Sequence, residues 1–170
     1  MTTSLLRVTL GMLFGGLMLM PPSVSASTWS TAASVCEPGS DSIGLYAYNV
    51  AQFMFSGTNT GTIKTRCTVT NPLDTGVPAW TTLTVGYLDP DGTGINYQVN
   101  AQLNRVNKST GVSFIIKTFD SSSFATTVAT SHSVTFTHTF DFTNYAYFVV
   151  LSVTRVDSAQ SPAVWYAQLK

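Results

Sequence analysis

From Ile95 to Arg105 the chain alternates without a break. Ile95, Tyr97, Val99, Ala101 and Leu103 occupy one side, and Asn96, Gln98, Asn100, Gln102 and Asn104 the other. Only an extended backbone sends successive side chains to opposite faces, so this run specifies a half-buried strand. A lone strand is not stable, so the rest of the chain must supply its neighbours.

The same period recurs. In Ile63–Val69 the apolar residues and Cys67 share one parity, with Lys64 and Arg66 on the other. In Ser133–Phe142, Val134, Phe136, Phe140 and Phe142 face one way, and Thr135, Thr137, Thr139 and Asp141 the other. Tyr145–Val156 is apolar on both faces and reads as a central covered strand. Further strand-like runs are Leu45–Phe55 (broken near Asn49), Trp80–Leu88, Val112–Phe119, Ala125–Ala129 and Ala163–Leu169. Turn signals separate them: Ser56–Gly61, Asn71-Pro72, Asp89-Pro90-Asp91-Gly92, Asn107–Gly111 and Ser158–Pro162. The predicted fold is all-β: an antiparallel two-sheet sandwich of jelly-roll or Greek-key type with 8–9 strands, spanning residues 44–170. A barrel is the alternative.

Charge points the same way. Only 9% of the chain is Asp, Glu, Lys or Arg, against roughly 25% in an average soluble protein. Glutamate occurs once, at Glu37. Good helix formers are therefore scarce on polar positions, while Thr, Val, Tyr and Phe abound. No basic cluster can neutralise phosphates, which argues against a nucleic-acid partner, and none suits an anionic membrane surface.

The first 26 residues are set apart. Arg7 precedes the apolar run Val8–Met20, Pro21-Pro22 ends it, and Val24-Ser25-Ala26 offers the small residues of a cleavage site. As a helix the run would rise about 20 Å, short of the roughly 30 Å hydrocarbon core. Residues 1–26 are expected to be a signal peptide cut after Ala26, leaving a secreted or periplasmic chain with no membrane span. In that oxidising setting Cys36 and Cys67 are expected to form one disulfide, with Cys67 pointing inward from its strand. The bridge would tie an irregular N-terminal arm, residues 27–43, onto the sheet.

Chemistry-bearing patterns are few. No Gly-x-Ser-x-Gly elbow is present, and the two cysteines are consumed by each other. His132 and His138 lie six residues apart on one strand face, about 20 Å at ~3.3 Å per residue, too far to share a metal ion. Both read as hydrogen-bonded residues at a core edge. The carboxylates are scattered: Asp89 and Asp91 in a turn, Asp120 and Asp157 at strand ends. A hydrolase would have to gather them from a distance. Asp89-Pro90-Asp91-Gly92-Thr93-Gly94 has the look of a calcium loop but lacks its third ligand and closing glutamate, so turn chemistry suffices. Asn107-Lys108-Ser109 matches a glycosylation sequon. No catalytic, cofactor-binding or metal-binding residue is assigned. The amide row Asn96–Asn104 is the most unusual polar surface. It could hydrogen-bond sugars if Trp80, Tyr87 or Tyr97 stacked beside it, yet Tyr97 points to the opposite face, so a solvated sheet face is the simpler reading.

Several segments resemble a loose group of small exported bacterial β-sandwich proteins without an assigned activity. They are Ala33-Ser34-Val35-Cys36, Arg66-Cys67-Thr68-Val69, Val99-Asn100-Ala101-Gln102-Leu103 and Asn144-Tyr145-Ala146-Tyr147-Phe148-Val149. Members often carry extra cysteines on the later strands, where this chain has Asn100 and Val150, so the resemblance implies fewer disulfides here. It transfers no functional residue. The expectation is a secreted, non-catalytic β-sandwich that binds a glycan or protein surface. The alternatives are a structural subunit of a surface fibre or layer and a hydrolase with a convergent site.

Overall fold

The computed structural model describes residues 27–73 and 76–170; the expected signal peptide and its cleavage point after Ala26 lie outside the described residues. Among these, eleven strands form: β1 (Trp29–Ala32), β2 (Glu37–Pro38), β3 (Tyr46–Asn49), β4 (Gln52–Phe55), β5 (Gly61–Val69), β6 (Thr82–Leu88), β7 (Tyr97–Asn107), β8 (Ser113–Asp120), β9 (Thr130–Thr135), β10 (Tyr145–Arg155) and β11 (Ala163–Leu169). Pairing is antiparallel throughout. One sheet has six strands in the order β3-β4-β11-β6-β9, with β1 paired to β11 on the side that β4 also uses; the other has five, β2-β5-β10-β7-β8. The chain crosses between sheets at β1–β2, β2–β3, β4–β5, β5–β6 and β6–β7, and again at each step from β8 through β11, as Greek-key and jelly-roll sandwiches do.

The core lies where period two puts it. Ile63, Cys67, Val99, Ala101, Leu103, Val149, Leu151 and Val153 project from the five-stranded sheet, and Trp29, Phe53, Leu83, Val85, Tyr87, Ala167 and Leu169 from the six-stranded one. β10 is central, pairing with β5 on one side and β7 on the other, but it is not covered on both faces as expected: Tyr147, Val149, Leu151 and Val153 are buried, while on the outer face Ala146 is exposed and Phe148 and Val150 are half-buried. Cys36 and Cys67 are bridged, with their Cα atoms 4.6 Å apart, and Cys67 is buried.

Several elements differ from expectation. The arm 27–43 is less irregular than its Ser/Thr-rich composition implied: it contributes β1 and β2, one to each sheet. Local composition does not reveal those strands, because their partners, β11 and β5, are distant in the chain. Leu45–Phe55 does break beside Asn49 as expected, into a hairpin of two strands turned at Val50, whose φ is 56°. Ala125–Ala129 forms no strand. The ladder expected over Ser133–Phe142 stops at Thr135, although Phe136 and Phe140 stay buried. Ile95, expected on the apolar face, is 76% exposed because β7 begins only at Tyr97.

Arg155, at the end of β10, is the one basic side chain in the described core, 2% exposed. It has no carboxylate partner there. Its Nε donates to the Asn59 carbonyl at 2.7 Å, its guanidinium also donates to Gly57, and it stacks 4.8 Å above the Phe55 ring. This one side chain fastens the Ser56–Gly61 turn. Arg155→Met should lower the urea midpoint by the equivalent of about 1–3 kcal/mol and speed amide exchange in that turn. Unchanged exchange there would show that the turn holds itself.

Candidate functional site

The aromatics first considered as sugar platforms do not reach the surface. Trp80 and Tyr87 are 0% exposed and Tyr97 is 6% exposed. Each is inward by the parity of its strand or packed at the sandwich end, where Trp80 meets Phe140 edge to face at 5.0 Å.

The amide row is also smaller than its sequence. Asn96 lies before β7, and Asn104, opposite Phe148, is buried, its Nδ2 donating to the Gln102 carbonyl at 2.8 Å. Gln98, Asn100 and Gln102 remain on the outer face of the five-stranded sheet. Pairing sets Lys64, Ser152, Asn100 and Asp120 in one cross-strand row and Arg66, Val150, Gln102 and Thr118 in the next. An aromatic does stand on this side, contrary to expectation: Phe148 pairs with Asn104. Its ring is already taken, with the Arg66 guanidinium 5.1 Å from the centroid. At the sheet edge a groove of about 410 Å³ gathers Glu37, Asp41, Lys64 and Arg66, bringing together two carboxylates that sequence reasoning had not paired.

The six-stranded sheet presents a different surface. Val85 and Tyr87 point inward, so Gly86 between them faces outward. A β-carbon on Gly86 would collide with both the Tyr166 ring and the Trp165 indole. The two aromatic side chains therefore lie across the bare backbone of β6. Small neighbours make room: Ala32, Tyr166, Gly86 and Ser131 form one cross-strand row. Ser30, Gln168, Thr84 and Ser133 form the next, with the Thr84 and Ser133 hydroxyls sharing a hydrogen bond at 2.8 Å. Trp165 is placed there by a break in register between Val164 and Tyr166, which puts two adjacent aromatics on one side of the sheet. Neither Trp165 nor Tyr166 is fully buried.

Trp165 also walls a groove of about 430 Å³, shared with Asn49, Val50, Ala51, Gln52 and Ala129. The β3–β4 turn forms its lip. Val50 sits there 95% exposed at positive φ, a conformation a β-branched residue avoids at a cost of order 1–3 kcal/mol. Asn49 and Gln52 face each other across the turn and bring two primary amides to the groove. A half-exposed indole beside amides and hydroxyls, with little charge, is chemistry that stacks on a C–H face and hydrogen-bonds hydroxyl groups. Sequence reading missed Trp165 and Tyr166 because strict alternation would have sent one of them inward. The available signal was Gly86, a lone glycine inside an otherwise good strand, which marks a close approach.

Both histidines are hydrogen-bonded to buried tyrosines. His132 Nδ1 shares a hydrogen bond with the Tyr87 hydroxyl at 3.1 Å and stacks on Phe124 at 4.1 Å. His138 Nε2 lies 3.2 Å from the Tyr147 hydroxyl; burial, with the Arg105 charge, holds its pKa below the usual imidazole value. Most remaining aspartates are spent locally. Asp120 accepts from the Ser122 amide at 3.0 Å, Asp141 from Thr143 and Asn144, and Asp157 from the Ala159 amide and the Tyr97 hydroxyl. Among the described residues no helix is long and apolar enough to cross a membrane.

No family model and no curated relative matches the chain. Among solved structures, the chain is similar to the CBM36-1 domain of a multidomain xylanase from the hindgut metagenome of Trinervitermes trinervoides, at 9% identity and a TM-score of 0.50, covering 85% of this chain and 97% of that one. A xylan-binding module, CBM15, aligns at 11% identity and a TM-score of 0.49 over 85% of this chain and 97% of its own. At such identities the first likeness speaks to the β-sandwich fold alone.

Proposed function

We propose that this chain is an exported glycan-binding β-sandwich and that it binds on the outer face of its six-stranded sheet. The observation that carries this reading is the pair of aromatics, Trp165 and Tyr166, laid across Gly86 beside the amides of Asn49 and Gln52. A pyranose ring offers a flat C–H face and a rim of hydroxyls, and such a surface matches both. The bridged Cys36–Cys67 pair supports an oxidising compartment, consistent with removal of residues 1–26 on export. The xylanase origin of the similar fold makes xylan the first polymer to test.

Affinity electrophoresis on soluble xylan, with a glycan array alongside, tests the reading. Binding is expected at micromolar to millimolar concentration, and Trp165→Ala should weaken it at least tenfold, about 1.4 kcal/mol. Phe148→Ala on the opposite face serves as control and should bind like the parent. If Phe148→Ala loses affinity and Trp165→Ala does not, the amide-lined face is the site. No binding to any glycan up to millimolar concentration removes the proposal.

A surface-fibre subunit has one observation in its favour. Edge strand β8 and the residue before it expose Val112, Phe114 and Ile115, at 49%, 52% and 58%, and an exposed apolar edge invites another strand. Sedimentation of the purified protein decides this: a stable monomer at high concentration ends the fibre reading.

A further inference from the structure

The β3–β4 hairpin closes in two residues. Tyr48 pairs with Phe53 and Asn49 with Gln52, which leaves Val50 and Ala51 as the whole loop. Positive φ falls at Val50 and not at Ala51. That is the sign pattern of a type II′ turn, whose first central position belongs to glycine. A valine there is strained, because its branched β-carbon crowds the backbone at φ of 56°. Nothing in the described fold offsets that strain. The side chain is 95% exposed, so it fills no part of the core.

The turn is nevertheless held firmly from below. Tyr46, Tyr48 and Phe53 pack against one another with ring centroids 5.1–5.8 Å apart, and the Tyr48 hydroxyl donates to the Cys36 carbonyl at 3.0 Å. β4 in turn pairs with β11, Val164 opposite Phe53. The next residue of β11 and the preceding residue of β4, Trp165 and Gln52, therefore meet in one groove. Such a rigid base lets the chain keep a strained residue at its tip. None of the residues that line the groove, Asn49, Val50, Ala51, Gln52, Ala129 and Trp165, is ionisable. A carboxylate or sulfate seated over the indole and the valine would lose water without gaining a partner.

Resting on the glycan-binding reading above, we infer that Val50 is a ligand contact that fits this groove to an uncharged sugar. Its methyl groups meet C–H groups at the edge of the ring that lies against Trp165. Strain at an exposed tip lowers the stability of the free protein and gives the turn no advantage there. It serves a bound sugar, by presenting methyl groups where glycine would present bare backbone and asparagine a third amide beside Asn49 and Gln52.

The test reads affinity and stability on the same purified variants. Val50→Asn tolerates positive φ and removes the methyl groups. It should raise the melting temperature by roughly 2–6 °C. It should also weaken binding by about five- to tenfold, the scale of taking one or two apolar groups out of contact. Val50→Gly should show the same opposed signs, with a smaller thermal gain because glycine also loosens the unfolded chain. Val50→Ile keeps both the branch and the strain, and should bind and melt like the parent. Titration calorimetry uses the neutral oligosaccharide that the parent binds tightest on the glycan array; its uronate-bearing counterpart should bind more weakly. Parental affinity in Val50→Asn or Val50→Gly overturns the inference. So does a Val50→Asn variant that melts no higher than the parent, or a uronate-bearing ligand that binds as well as the neutral one. A parent that binds no glycan ends the glycan-binding reading and this assignment together. Binding that falls in Trp165→Ala and ignores every change at Val50 ends this assignment alone.

Discussion

Replacing Val149 with aspartate leaves no cooperatively folding protein. Val149 is 0% exposed at the middle of β10, opposite Cys67 on β5 and Leu103 on β7. A carboxylate there meets apolar side chains on every inward side, with no donor or cation to receive it. The penalty is on the order of 5 kcal/mol or more, comparable with the whole stability of a typical domain, about 5–15 kcal/mol. Far-UV and near-UV circular dichroism during a urea titration should show no sigmoidal transition. Val149→Ala, which only opens a small cavity, should still fold with a loss on the order of 2 kcal/mol. A soluble Val149→Asp variant with a sharp transition would mean that β10 is not the centre of the sandwich.

The second large effect concerns the bridge. Cys36 lies in the segment joining β1 to β2 and Cys67 near the end of β5, 31 residues apart in sequence. Closing a loop of that length restricts the unfolded chain by about 4 kcal/mol in the chain-entropy account, within the 2–5 kcal/mol typical of native bridges. Cys67→Ser should therefore lower the melting temperature by roughly 8–16 °C in non-reducing buffer. Reduced parent protein should melt near the variant. A variant that melts with the parent in non-reducing buffer would show that the arm docks without its covalent tie.

The fold was legible wherever burial alternates. Ile63–Val69 and Tyr97–Leu103 carry their sheet faces in plain order, so the sandwich and the inward position of Cys67 could be read directly, whereas Tyr145–Val153, apolar on both faces, revealed a central strand but not that one face stays open. The aromatic face proposed to bind glycan was not legible, for a specific reason. It depends on the break in register beside Trp165, on the hairpin turned at Val50 and on the empty position over Gly86. Each is a departure from period two, and the pattern that reveals a strand hides its irregularities. The arm was misread for another reason: β1 carries little apolar signal of its own because its backbone partner, β11, lies at the other end of the chain. The Asp89–Asp91 loop was half read. Its turn residues are visible in sequence, but the burial of Asp89 is a property of the packed ends of both sheets.

That pairing of β1 with β11, Trp29 opposite Leu169, fixes when the molecule can be completed. β11 is also the neighbour of β4 and β6, so a nascent chain that has not yet made β11 holds three strands waiting for one. The six-stranded sheet closes only once β11 has been made and can reach all three.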